Sequence, residues 1–153
     1  MGEDLGTQHT PLISMDILKR HILPRQKPFF DLCKSHELPT LLHTCGSSSW
    51  AYEEYIKLGL RGVETLQPEA ADMSPSYLKE HFGGRLAFHG SISTAGPLAY
   101  GTPGDVEADV KAKCDIYRPT RGYFISPTHS IQDNSPLENV LRMYEAALKY
   151  GKY

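Results

Sequence analysis

The chain has 153 residues, 40% hydrophobic and 22% charged, with 16 basic and 18 acidic residues for a formal net charge of −2. That is the size and balance of one globular domain; it offers no basic arm for nucleic acid, no charge block that reads as a tail, and no apolar run near the ~18 residues of a membrane helix. Cysteines 33, 45 and 114 lack scaffold spacing and the first residues lack a signal-peptide pattern, which favours a reducing, cytoplasmic setting.

Residues 1–8 read as the tail of a strand and the loop after it. Ser14 is placed to cap a helix from Met15 to about Leu23, and Pro24 and Pro28 predict a break or kink before a second piece, about Arg25 to Ser35. Ile17, Leu18, Ile22, Phe29, Phe30 and Leu32 are expected to face a core. Thr40–Thr44 is a strand, and Trp50–Leu58 a helix closed by Gly59. Gly62–Leu66 is a strand; Ser74-Pro75 opens a helix that Gly83 ends. Leu86–His89 is a strand, followed by a long loop from Gly90 to Gly101. Thr102-Pro103 opens a helix to about Tyr117, and Tyr123–Ser126 is the last strand. Ser135-Pro136-Leu137-Glu138 has the Ser-x-x-Glu form of a capping box, opening a final helix with Val140, Leu141, Tyr144 and Leu148 inward.

Strand and helix thus alternate four times after the opening stub. The strands are short and apolar, as in a parallel sheet covered by helices. Repeats of this size suit a TIM-like (β/α)8 barrel, but a whole barrel takes about 250 residues. Residues 1–153 are therefore expected to form a single α/β partial-barrel domain. Another half-barrel or a second copy would be needed to close it, because an open four-stranded parallel sheet leaves both edges unpaired.

In such folds the chemistry sits at the carboxyl ends of the strands. The rim read this way holds Asp4 and Gln8, His43 and Cys45, Gln67, Glu69 and Asp72, His89, Ser91 and Ser93, then Thr128, His129 and Gln132. Side chains alternate along a strand, so His43 and Cys45 share a side. Imidazole and thiolate side by side suit Zn²⁺ if a third ligand arrives, and His129, close behind the last strand, is the natural one. On spacing alone the same pair is equally a strand end with a satisfied histidine and an inert thiol. Asp4 is equally a turn cap, and Asp72 a cap for the helix after it.

An ordered set of motifs carries a resemblance across essentially the whole chain. It comprises Glu3-Asp4-Leu5-Gly6-Thr7-Gln8, His43-Thr44-Cys45-Gly46, Gln67-Pro68-Glu69-Ala70-Ala71-Asp72-Met73, Phe88-His89-Gly90-Ser91-Ile92, Gly101-Thr102-Pro103, Ser126-Pro127-Thr128-His129-Ser130-Ile131-Gln132 and Pro136-Leu137-Glu138-Asn139. Together these resemble the C-terminal half of the uroporphyrinogen decarboxylase-like superfamily, nearer its cobalamin-dependent methyltransferase branch than the true decarboxylases. The resemblance implies zinc held by a His-x-Cys pair, here His43 and Cys45, and by a cysteine after the last strand, where this chain has His129. Histidine there removes one negative charge, making the metal a stronger Lewis acid and a weaker thiolate activator. A Gly-Gly-Ile-Asp pattern of the family is Gly90-Ser91-Ile92-Ser93 here, so the acidic role has no matching residue. The implied activity is transfer of a methyl group from a corrinoid on a partner protein to a thiol or similar small molecule, with Gln67 and Asp72 as substrate contacts. The alternatives are tetrapyrrole decarboxylation, with Asp4 orienting the pyrrole N–H groups, and a non-catalytic half-barrel.

Overall fold

The computed structural model of the chain describes residues 1–152. Strands β1 (Thr40–His43), β2 (Leu60–Leu66), β3 (Ala87–Ile92) and β4 (Tyr123–Pro127) lie side by side, all parallel and in chain order. The opening stub continues the sheet beyond β1: Glu3 N–H donates to His43 O at 2.9 Å and His43 N–H to Met1 O at 2.8 Å. A doubly wound sheet reverses its strand order at a switch point, whereas a barrel does not. This sequential order is that of a barrel sector.

The helices are α1 (Met15–Ile17), α2 (Leu23–Ser35), α3 (Tyr52–Leu58), α4 (Pro75–Phe82), α5 (Pro97–Tyr100), α6 (Pro103–Tyr117) and α7 (Leu137–Tyr150). Strand alternation puts Leu42, Val63 and Phe88 under them, and the irregularity at Thr65 turns Leu66 to the same side, packed with Phe30, Tyr52, Leu78, Val110 and Tyr117. The intervening residues, including Leu41, Glu64, His89 and Phe124, line the opposite, uncovered face, where Leu41 and Phe124 are exposed. Among the described residues, no helix is long and apolar enough to cross a membrane.

Several expectations are corrected. The interruption expected ahead of Pro24 is there, but as a π-helical turn within continuous helical chain, and Pro28 lies inside α2. Leu18–Ile22 forms a π-helical turn in which Leu23 N–H reaches back to Leu18 O, and this wider turn absorbs the hydrogen bond that proline cannot make. Of the apolar residues expected inward there, Leu18 and Phe30 are buried, but Ile17, Phe29 and Leu32 are exposed. Ser135 does not cap α7; its hydroxyl turns to Asn134 Oδ1 at 3.5 Å, and Pro136 occupies the cap position. α7 is apolar on two faces, and it buries Asn139, Met143 and Ala146 instead of Leu141, Tyr144 and Leu148. The loop after His89 is shorter than expected, because β3 runs on to Ile92 and α5 forms at Pro97.

Candidate metal centre

The site starts from how the stub is anchored. Glu3 is paired to β1, and Leu5 is buried with its N–H donating to Thr44 Oγ1 at 3.3 Å. Asp4, between them, is left to project along the rim, where its Oδ1 accepts from Cys45 N–H at 3.1 Å. Just beyond, two glycines let the backbones cross. Ser47 N–H donates to Thr7 O at 2.7 Å. A Cβ on Gly6 would meet Ser47 O at 2.2 Å, and one on Gly46, whose φ is +67°, would meet Gly6 O at 2.4 Å. The crossing holds the Asp4 loop against the His43–Cys45 turn.

The result is a cluster in which one ligand atom each of Asp4, His43 and Cys45 lies within 4.8 Å of the others. β2 supplies the surroundings. Glu64 Oε1 stands 2.9 Å from His43 Nδ1, the geometry of an N–H donating to a carboxylate, which leaves Nε2 as the basic nitrogen of the neutral ring. From Gly62 to Glu64 the pairing of β2 with both neighbours is regular, and the register with β3 then shifts at Thr65, whose φ is +61°. For a β-branched residue that is an outlier of the kind found at functional sites. It places the Thr65 hydroxyl against Thr44 O at 3.1 Å and 3.9 Å from Cys45 Sγ. Burial pushes the Cys45 thiol up from its ordinary value; the Thr65 hydroxyl pulls it back and the nearby Asp4 carboxylate pushes it up further.

Sulfur, imidazole nitrogen and carboxylate oxygen are a donor set that suits zinc with one position open. The fit has a physical basis in this chain, since a cation between Cys45 and Asp4 would favour the thiolate that burial and the carboxylate otherwise disfavour. The carboxylate behind the imidazole is the outer-shell arrangement that orients a ligating histidine.

His129 stands outside this cluster. It is exposed, with Nδ1 3.4 Å from Ser130 O, on a loop tied to β3 by Thr128 N–H donating to Ile92 O at 2.8 Å. It nevertheless lines the same opening as His43, a cavity of about 490 Å³ shared with Glu64, His89, Ser126 and Tyr144. Gln67 is on the neighbouring loop, donating to Gln8 Oε1 at 3.0 Å, and Asp72 is exposed with φ +58°. The helix cap beside Asp72 is Ser74, whose hydroxyl accepts from Tyr77 N–H at 3.3 Å. Sequence reasoning missed Glu64 and Thr65. A carboxylate in the middle of an apolar strand, level with His43 on the next strand, was the available signal.

The profile of the Uroporphyrinogen decarboxylase (URO-D) family matches residues 5–150. A Methylcobamide:CoM methyltransferase, MtbA, of Methanosarcina acetivorans is 25% identical over 139 residues, spanning 91% of this chain and 38% of the relative. A solved methyltransferase from Methanosarcina mazei superposes with a TM-score of 0.74 at 22% identity, over 99% of this chain and 42% of the other. The chain thus spans about two fifths of either relative and has the fold of a partial TIM-like barrel. It belongs to the uroporphyrinogen decarboxylase family.

Proposed function

We propose that this chain carries the zinc-holding rim of a methyltransferase that moves a methyl group between a corrinoid protein and a thiol or similar small acceptor. The observation that carries the reading is the convergence of Asp4, His43 and Cys45 at the carboxyl end of the sheet. His43 and Cys45 are two ligands, Asp4 is a donor already beside them, and His129, across the opening, is the third ligand that the sequence pattern favours. Zinc in such a three-ligand site supplies Lewis acidity, lowering the pKa of an acceptor's thiol toward neutrality.

The chain's own residues do the rest. Glu64 fixes the His43 tautomer. The Gly6–Gly46 crossing holds the Asp4 carboxylate by the pair. The opening receives the acceptor, with Gln67 and Asp72 as contacts on the adjoining loop, and the barrel mouth is the docking surface for the corrinoid partner. A reducing cytoplasm keeps Cys45 a thiol. That both similar proteins are methyltransferases supports this direction.

The test is metal analysis of the chain purified without chelators. The expected result is about one zinc per chain, lost in Cys45→Ser and in His43→Ala. Absence of zinc, or full retention in both variants, overturns the reading. Asp4→Asn against His129→Ala then identifies the third ligand as the one whose loss weakens zinc more.

A further inference from the structure

His43, Glu64, His89 and Phe124 form one row across the uncovered face of the sheet, each the register partner of the next. Side chains in such a row stand parallel, with neighbouring strands about 4.8 Å apart. Glu64 has a histidine at each carboxylate oxygen: Oε1 is hydrogen-bonded to His43 Nδ1 at 2.9 Å, and Oε2 lies 3.5 Å from His89 Nδ1, an ion-pair distance without a hydrogen bond. Phe124 backs His89 from the far side, its ring tilted against the imidazole at 6.4 Å between centroids. Between 36% and 43% of each of the three polar side chains is exposed, so water could satisfy them separately. Their mutual contact is therefore a specific arrangement and not one forced by burial.

A carboxylate held at one oxygen still swings about its terminal torsion, which is broad. A second group standing against the other oxygen narrows that swing. We infer that His89 is a positioning residue for the metal centre: standing against the second oxygen of Glu64, it keeps Glu64 on His43 Nδ1 and so presents His43 Nε2 to the metal. The inference rests on the zinc reading for its purpose, but the row itself is a property of the metal-free chain. Phe124 contributes by closing the side from which His89 would otherwise rotate away.

Two measurements separate the inference from the reading beneath it. Zinc affinity, measured by competition with a chromophoric chelator, is expected to fall about tenfold in His89→Ala while saturation still gives the native zinc content. His89→Gln, whose amide can still donate to Glu64, is expected to recover most of the loss. In the metal-free chain at alkaline pH, ¹⁵N NMR of the imidazoles is expected to show His43 as the Nδ1–H tautomer, and a tautomer mixture in His89→Ala. Equal zinc affinities for the native chain and His89→Ala overturn the positioning role and leave the zinc reading standing. If the native chain binds no zinc, the reading fails and the tautomers decide: an unchanged His43 in His89→Ala overturns the row as a positioning device, and a shift toward the mixture sustains it.

Discussion

Replacing Gly46 with alanine tests whether the crossing of the two loops builds the site. The residue's φ of +67° costs an alanine about 1–2 kcal/mol. The new Cβ would sit 2.4 Å from Gly6 O and 2.6 Å from Thr7 O, both backbone atoms. Ordinary contact requires the loops to part by about 1 Å. Parting them breaks the 2.7 Å bond from Ser47 N–H to Thr7 O, a further loss of about 1 kcal/mol. The sum is about 2–3 kcal/mol, or about 5–10 °C in melting temperature for a chain of this length. Gly84→Ala is the control, because its φ is +78° but nothing lies within 4 Å of the added Cβ. It carries only the conformational cost. Thermal and urea unfolding followed by far-UV circular dichroism compare the two, and chelator competition reads the site. Gly46→Ala is expected to be the less stable variant by about 1 kcal/mol, with weakened zinc binding because Asp4 moves away from Cys45. Equal stabilities together with native zinc affinity would refute the reasoning.

Asn139, buried under α7, donates from Nδ2 to Gly101 O at 2.8 Å and Leu98 O at 3.2 Å. Asn139→Leu strands these carbonyls and is expected to cost about 2–3 kcal/mol, seen as a lower urea midpoint at unchanged slope with zinc binding intact. Burial raises the phenols of Tyr52 and Tyr117, and pushes Tyr55 up to about 12. The unfolded chain releases these protons near pH 10 while the fold retains them, so stability falls as pH rises from about 10 upward. Ultraviolet titration should show these buried phenols ionising only together with loss of circular dichroism. Arg85 holds exposed Glu53 through two hydrogen bonds at 3.0 and 2.6 Å, which lowers the Glu53 pKa. The pair's contribution is complete above the ordinary glutamate range and lost as pH falls through the lowered value. Arg85→Ala is expected to lower the urea midpoint only slightly at neutral pH, and less still in molar salt.

The strands were legible because each is a short apolar run between breakers, and β1 and β4 lie within a residue or two of their expected bounds. The helix starts marked by Ser74 and Thr102 hold for the same local reason: a side-chain oxygen there accepts a backbone N–H at both. Facing was harder to read. α7 presents Leu137, Leu141, Tyr144 and Leu148 on one side and Val140, Met143 and Ala146 on the other, and periodicity cannot choose between two apolar stripes. The buried side is decided by Asn139, a polar residue whose partners lie in the α5 turn nearly forty positions earlier. The site was half legible. His43 and Cys45 follow from alternation on one strand, but Asp4 joins them through a pairing of the stub with β1 that no local signal marks. Glu64 needs the register between two strands, and Thr65 needs a left-handed residue where propensity favours a regular strand.

X-ray absorption at the zinc edge tests the metal centre most directly, because it reports the donor atoms themselves. The expected spectrum of the loaded chain has a sulfur shell at about 2.3 Å beside nitrogen and oxygen near 2.0–2.1 Å, with the sulfur shell gone in Cys45→Ser. A shell of nitrogen and oxygen alone in the native chain, or a sulfur shell that survives Cys45→Ser, would contradict the assignment of His43 and Cys45 as the ligands around which this rim is built.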